Sequence, residues 1–429
     1  MQQASFLYVL VDAWLPRAAA TKPQQLAVNN LTYGQLLLAV QRAARQLSAL
    51  GVVRGDRVAV VLAPGEQFAV VFHATLLLGA VAVPASPDLP ADQLADRTDR
   101  ARVVVDRPLD GHEDPAVKLD SHHDLSATAV IIFSSGSSGA AKEVALSYGN
   151  FWWSAAGSAV ALGLDREERW LCCLPLTHVG GLSILIRSAI YATEALIHER
   201  FDQAAILAEL SHENGPTLIS LVPTTLQRLL DAGLSGPPSL RWVLLGGGPI
   251  SAELIARAAS ASVPLASSYG MTEACSQIYT GGAPLFCTSV ELDRAGEILI
   301  SGPTVANQCQ PQLRTGDVGR WDELGGLNVV GRISALIITG GENVAPEAVE
   351  AVLAAHPAVA DVAVVGREDR EWGEQVTAIV QLEPGVVATD SELIDFAAPL
   401  LSPHERPKQV EFVDTLPRSE NGKLLRSEL

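Results

Sequence analysis

The sequence predicts an α/β protein in two parts, on three observations. Short apolar strand candidates alternate with helical patterns through most of the chain. At Gly325 to Gly331 a tight glycine turn introduces a C-terminal stretch of different texture. The 429 residues are 48% hydrophobic and 18% charged, enough chain and apolar surface for two or three packed cores.

The elements follow in order. Leu36, Val40, Ala43, Leu47 and Leu50 recur at helical spacing behind Thr32, a suitable N-cap, and Gly51 closes the segment. Arg57 to Leu62 reads as a buried strand. Gln67 to Pro87 contains no charged residue, yet it reads as a helix over 69–78 broken by Gly79, then a strand over 81–83 stopped by Pro84, rather than as a membrane span. Further strands are expected at 129–133, 169–174, 195–198, 217–222 and 241–245, with helices at 224–231 and 251–259. Pairing should be mainly parallel. In the C-terminal part, Pro346 opens a helix. Strands near 359–365 and 376–382, a helix near 391–401 and a strand at 409–413 follow. The expected division is 1–332, a hinge at 333–334, and 335–429.

Composition excludes several function classes. The net charge of −18 and a pI near 4.9 argue against a nucleic-acid or anionic-membrane surface. An anionic substrate must therefore meet a local positive cluster. The five cysteines are odd in number and contain no C-x-x-C, so neither a disulfide framework nor a zinc site is expected. The opening residues lack a basic start and carry Asp12 within an apolar run, which makes a poor export signal. A cytoplasmic protein is the resulting expectation, and the apolar composition is compatible with a homo-oligomer. The adjacent His122 and His123, without spaced partners, read as surface residues.

Five clusters can carry chemistry. In Ala129-Val-Ile-Ile-Phe-Ser-Ser-Gly-Ser-Ser-Gly-Ala-Ala-Lys142 a strand runs into a loop of serines and glycines, and a lysine follows. Glycines let backbone N–H groups turn toward an anion, hydroxyls add donors, and the lysine adds full charge. The spacing Gly136, Gly139, Lys142 is not that of a P-loop, and by itself the stretch also reads as a hairpin tip. Ser267-Ser-Tyr-Gly-Met-Thr-Glu273 offers a ring for stacking, a hydroxyl and a carboxylate able to bring Mg²⁺ to a nucleotide, or simply a capped loop. Arg314-Thr-Gly-Asp317 presents a carboxylate on a turn. Gly331-Arg332 leads to Gly340-Gly-Glu-Asn343, and Asn421-Gly-Lys423 stands near the C-terminus.

In that order, the clusters resemble the acyl-adenylate-forming superfamily of acyl-CoA synthetases, peptide-synthetase adenylation domains and luciferases. The likeness covers about residues 134 to 423, and Thr32-Tyr33-Gly-Gln-Leu36 with Gly55-Asp56-Arg57-Val58 extends it toward the start. The resemblance implies a large multi-sheet N-terminal domain and a smaller mobile α+β C-terminal domain. It also implies two half-reactions: a carboxylate attacks the α-phosphorus of ATP, expelling pyrophosphate, and the thiol of CoA then displaces AMP.

By match to the motifs, Ser134, Ser135, Gly136, Ser137, Ser138, Gly139 and Lys142 would hold the β- and γ-phosphates, Thr272 the α-phosphate and Glu273 the Mg²⁺. Asp317 and Arg332 would hold the ribose. Gly246, Gly247, Gly248, Tyr269 and Gly270 would line the adenine slot. Lys423 would reach in during adenylation and withdraw as the small domain turns, bringing Gly340 and Gly341 to the thiol channel. Leu174-Pro-Leu-Thr-His-Val-Gly-Gly-Leu-Ser-Ile-Leu-Ile-Arg187, with His198 to Asp202, resembles 2-succinylbenzoate–CoA ligases of menaquinone and phylloquinone biosynthesis. That likeness places His178 beside the reactive carboxylate, and Gly180 and Gly181 are expected along the acid site. Arg187 is the nearest arginine to this segment, and a helix starting near Gly181 would point it inward, with Ser183, toward the second carboxylate; the alternative is an exposed helical arginine.

Three departures stand out. Ser138 replaces the family's threonine, Ala141 its proline, and Ser334-Ala335 its acidic hinge pair. The region between Pro84 and Thr128 is short, and a trimmed sub-domain without catalytic role is expected there. The alternatives are a ligase for another acid, adenylation onto a carrier protein, and a catalytically silent nucleotide-binding homologue.

Overall fold

A computed structural model describes residues 9–135, 141–323, 325–418 and 424–429. The chain forms two compact units, Met1–Val290 with Ile300–Leu313, and Glu291–Leu299 with Arg314–Leu429.

The first unit is built on two sheets. One has five strands in the spatial order Val103–Val105, Arg57–Val60, Val81–Pro84, Thr128–Ser135 and Ala141–Ser147, parallel except for the last. The other has nine, from Ala283–Pro284 through Ser276–Thr280, Leu265–Met271, Trp242–Gly246, Leu218–Leu221, Arg169–Cys172, Glu194–Ile197 and Leu26–Val28 to Leu31–Thr32. Its middle pairs are parallel and its two ends antiparallel.

Strand pleating divides the apolar residues between two cores. Trp170 and Cys172 face a core shared with Ile132, Phe72, Phe151 and Leu182. Leu171 and Cys173, one residue out of phase, join Ile219, Leu221, Val243 and Leu245 on the opposite face. Helices cover these faces because their apolar residues recur every three or four positions. The expected helix after Thr32 runs Tyr33–Ala49, fixed by a capping box in which Thr32 and Gln35 exchange hydrogen bonds. Gly51 follows it at φ +85°, a conformation open to glycine. The charge-free stretch forms the buried helix Glu66–Leu77 and the strand Val81–Pro84. Among the described residues no helix is long and apolar enough to cross a membrane.

The histidine pair departs from expectation. Leu10–Asp12 pairs with His122–Asp124, and the pleat leaves His122 exposed but turns His123 inward. The His123 ring stacks on Tyr148 at 4.3 Å, and burial pushes its pKa down to about 3. It is a core residue, not a surface one.

The second unit contains a four-stranded sheet, Ser289–Leu292, Glu297–Ser301, Leu313–Trp321 and Leu327–Arg332. It also contains a five-stranded sheet of Glu342–Val344, Ile337–Thr339, Gly373–Leu382, Val359–Asp369 and Gln409–Phe412. Helices Pro346–Leu353 and Asp390–Ala397 pack on the latter through Val349, Leu353, Leu393 and Ala397. By contacts, then, the chain from Arg314 onward groups with the C-terminal residues.

Candidate active site

On the first unit's smaller sheet, Thr128–Ser135 and Ala141–Ser147 form an antiparallel hairpin with Ser134 opposite Lys142. Gly136, Ser137, Ser138 and Gly139 lie outside the described residues, as does Lys423. Val144 and Leu146 are buried, whereas Lys142, on the same strand face nearer the hairpin tip, is exposed. Glu143 points the other way into Arg57, at 2.8 and 3.0 Å, with Arg100 at 3.5 Å. The Arg57 hydrogen bonds hold the Glu143 carboxyl below its ordinary range. Lys142 is thus left without a neutralising partner among the described residues.

The second element starts from the strand Leu265–Met271. Its register shifts at Tyr269/Gly270, and a Cβ on Gly270 would stand 1.6 Å from the Ser276 carbonyl oxygen. Only glycine allows that approach. The chain then closes the 3₁₀ turn Thr272–Ala274, with the Cys275 N–H donating to Thr272 O at 3.0 Å. Thr272 and Glu273 are half-buried on this turn. Burial raises the Cys309 pKa, the Glu273 charge raises it further, and Lys142 opposes both. The turn Thr272–Ala274 packs against the strand Ala141–Ser147, so Lys142 and Glu273 stand on neighbouring elements. A single accessible carboxylate there suits Mg²⁺, which takes its remaining ligands from phosphate and water. Among the described residues no cluster of three or more His, Cys, Asp or Glu forms an all-protein metal cage.

The third element is the helix Val179–Tyr191. Its start packs directly on the Pro175 turn: a Cβ on Gly181 would meet Pro175 O at 2.5 Å, whereas Gly180 has only ordinary contact with Leu174. His178 is the N-cap residue, and its side chain does not cap the helix. His178 is exposed; desolvation by the surrounding chain, then the charge of Arg97, lowers its pKa.

Arg187 is buried, 2% exposed, with its guanidinium 5.5 Å from the Trp170 ring centre and donating to Ser154 Oγ at 3.1 Å. Ser154 Oγ in turn donates to Cys275 O at 2.7 Å, which ties Arg187 to the end of the Glu273 turn. Arg187 Nε and Ser183 Oγ are both buried without a hydrogen-bond partner among the described residues. They lie four residues apart on one helix face. Among the described residues Arg187 meets no carboxylate, and burial lowers its pKa. A buried guanidinium in that state is costly unless an anion joins it.

Gly246, Gly247 and Gly248 end the strand Trp242–Gly246. A Cβ on Gly246 would meet Ser268 O at 2.6 Å, and Gly247 adopts φ +80°. They sit beside the strand that carries the half-buried Tyr269.

In the second unit, Asp317 and Arg332 are directly paired across their strands, Oδ1 to Nε at 2.8 Å. Gly340 and Gly341, at φ +60° and +85°, make the turn between Ile337–Thr339 and Glu342–Val344. The structure thus brings Lys142, Thr272, Glu273 and, through Ser154, Arg187 into one region of the first unit. Asp317 and Arg332 meet each other in the second.

Sequence reasoning missed Arg97, Ser154 and Gln308. Arg97 belongs to the region expected to have no catalytic role, yet it lies over the Phe133 ring at 5.4 Å and acts on His178. Its spacing on the short helix Ala91–Thr98 gave no signal, because the partners are distant in sequence.

Comparison with known proteins agrees along the whole chain. The AMP-binding enzyme family model matches residues 15–106 and 97–310, and the model of the AMP-binding enzyme C-terminal domain matches 348–423. A 2-succinylbenzoate–CoA ligase of Bacillus subtilis is 34% identical, with 97% of each chain covered. One of Bacillus cereus is 35% identical with the same coverage. The structure is similar to that of the o-succinylbenzoate CoA synthetase of B. subtilis in complex with the acyl-adenylate intermediate OSB-AMP, with TM-score 0.91, 32% identity and 98% of each chain covered. The same synthetase in complex with ATP and magnesium ion gives TM-score 0.90 at 32% identity, covering 98% of this chain and 100% of that one.

Proposed function

The chain belongs to the AMP-binding enzyme family, and from that premise we propose that it is an acid–thiol ligase that converts 2-succinylbenzoate, ATP and CoA to 2-succinylbenzoyl-CoA, AMP and pyrophosphate. The observation that carries this reading is the packing of the Glu273 turn against the strand that carries Lys142, with the buried Arg187 linked to the same turn through Ser154 and Cys275. The full-length likeness to 2-succinylbenzoate–CoA ligases supports the choice of acid. The reaction serves menaquinone or phylloquinone synthesis in the cytoplasm, and its partners are small molecules.

In the first half-reaction a carboxylate oxygen bonds to the α-phosphorus and the bond to pyrophosphate breaks. Lys142, with the Ser134 to Gly139 loop, holds the departing phosphates, and Thr272 the α-phosphate. Glu273 would hold Mg²⁺, which neutralises polyphosphate charge when bound. Asp317 and Arg332 hold the ribose, and Gly247, Gly248 and Tyr269 the adenine. In the second half-reaction the CoA thiol loses its proton to solvent, its sulfur bonds to the acyl carbon and AMP leaves. His178 stands beside the reacting carboxylate, and Arg187 with Ser183 receives the second one.

Residues 335–429 turn about Ile333–Ser334 between the two steps, withdrawing Lys423 and presenting Gly340 and Gly341. The test is pyrophosphate release with ATP and Mg²⁺, comparing 2-succinylbenzoate with benzoate, 4-coumarate, acetate and octanoate, with and without CoA. Strong preference for 2-succinylbenzoate with thioester formation is expected; release with another acid alone overturns the substrate, and none with any acid overturns the reaction. In Lys423→Ala, adenylation should collapse while thiolation of supplied acyl-adenylate survives.

A further inference from the structure

Among the described residues the strand Ala141–Ser147, which carries Lys142, is the edge of its sheet and pairs on one side, with Thr128–Ser135. An edge strand presents unpaired N–H and C=O groups on its free side. Here the side chain of Gln308 occupies that side. Its Nε2 donates to Glu143 O at 3.0 Å, and its Oε1 accepts from the Ala145 N–H at 3.1 Å. One carboxamide thus supplies the donor and the acceptor that a neighbouring strand would have supplied.

The same short segment is also bound to the turn that carries Glu273. Two residues before Gln308, the Ala306 N–H donates to Glu273 O at 2.8 Å. One residue after it, Cys309 lies in the fields of both Glu273 and Lys142. The 3₁₀ turn Asn307–Cys309 keeps these three attachments at fixed spacing. Nothing else among the described residues grips the free edge of this strand next to Lys142.

We infer that Gln308 is a positioning residue for adenylation: its carboxamide sets the separation between Lys142 and Glu273, and hence how polyphosphate and its divalent cation are held. This rests on reading Lys142 and Glu273 as the phosphate and metal groups. Transition-state stabilisation depends steeply on such placement, a displacement of about 1 Å costing on the order of 100-fold. Thiolation, which moves no polyphosphate, does not need the setting.

Gln308→Met keeps the side-chain length and removes both hydrogen bonds; Gln308→Glu keeps the acceptor toward Ala145 and loses the donor toward Glu143. In the full-length protein, kcat/KM for ATP in pyrophosphate release should fall about 10- to 100-fold in Gln308→Met. The Mg²⁺ concentration for half-maximal rate should rise, and Gln308→Glu should lie between this variant and the parent. Thiolation of supplied acyl-adenylate should stay within about twofold, and Tm within a few degrees. Equal loss of both half-reactions, or activity that tracks loss of Tm, makes Gln308 merely structural and overturns the inference, as does unchanged pyrophosphate release. Lys142→Ala and Glu273→Gln separate the two levels. If neither impairs pyrophosphate release, the underlying reading fails and takes the inference with it; if both do and Gln308→Met does not, the inference alone fails.

Discussion

Lys142 and Arg187 are both cations tied to the elements around the Thr272–Ala274 turn, and the fold treats them in opposite ways. Lys142 is exposed at the end of a hairpin strand, where water solvates its charge. Arg187 is sealed between Trp170 and Ser154, with Nε unsatisfied and no carboxylate among the described residues. The difference teaches what each is suited to. An exposed ammonium is a mobile point charge that can follow phosphates as they separate. A buried guanidinium is fixed, discriminates strongly for an anion of matching shape, and costs stability while it waits.

The largest effect should come from the exposed cation. Lys142→Ala removes charge from the departing pyrophosphate, so adenylation should fall about 100- to 1,000-fold. The loss should be the same for every acid tried, because the acid is remote from that charge. Single-turnover pyrophosphate release measures it. A loss that varies with the acid would erase the distinction between the two cations.

The buried cation should give a smaller and selective effect. Arg187→Met fills similar space without charge, and kcat/KM for 2-succinylbenzoate should fall about 10- to 100-fold, the cost of losing a charged contact to a buried carboxylate. A monocarboxylic acid should lose little. Because removing an unpaired buried charge is often neutral or stabilising, Tm should hold or rise. Equal losses for both acids, with a lower Tm, would make Arg187 a structural residue.

The same contrast explains what could be read from the sequence. That Lys142 and Glu273 stand on neighbouring elements was legible because the phosphate chemistry expected of them would need glycines, hydroxyls and charges close together in the chain. The direction of Arg187 was legible because its helix starts at a turn that Gly181 fits, and helical spacing does the rest. Ser154 and Gln308 were not, since each acts through one hydrogen bond or two across more than a hundred residues of sequence. His123 misled for a related reason: two adjacent histidines look alike until a partner strand decides which one the pleat buries.

The smallest effect tests Arg97, which stands between the two cases. It is partly desolvated over Phe133, pairs with no carboxylate among the described residues, and acts on His178 at a distance. Partial desolvation is the first cause of the lowered pKa of the exposed His178, and the Arg97 charge adds to it by opposing a second positive charge. Arg97→Gln removes only the second cause, so the His178 pKa should rise part of the way toward its ordinary value. At any pH below neutrality less of the imidazole is then uncharged, and the acid limb of kcat/KM should move to higher pH while the plateau stays unchanged. The pH profile, with NMR titration of the His178 ring, measures both. A His178 titration that does not move would mean that the Arg97 charge is spent on Phe133 and solvent. A titration that moves under an unmoved acid limb would mean that the acid limb belongs to another group, and that His178 serves by shape rather than by its protonation state.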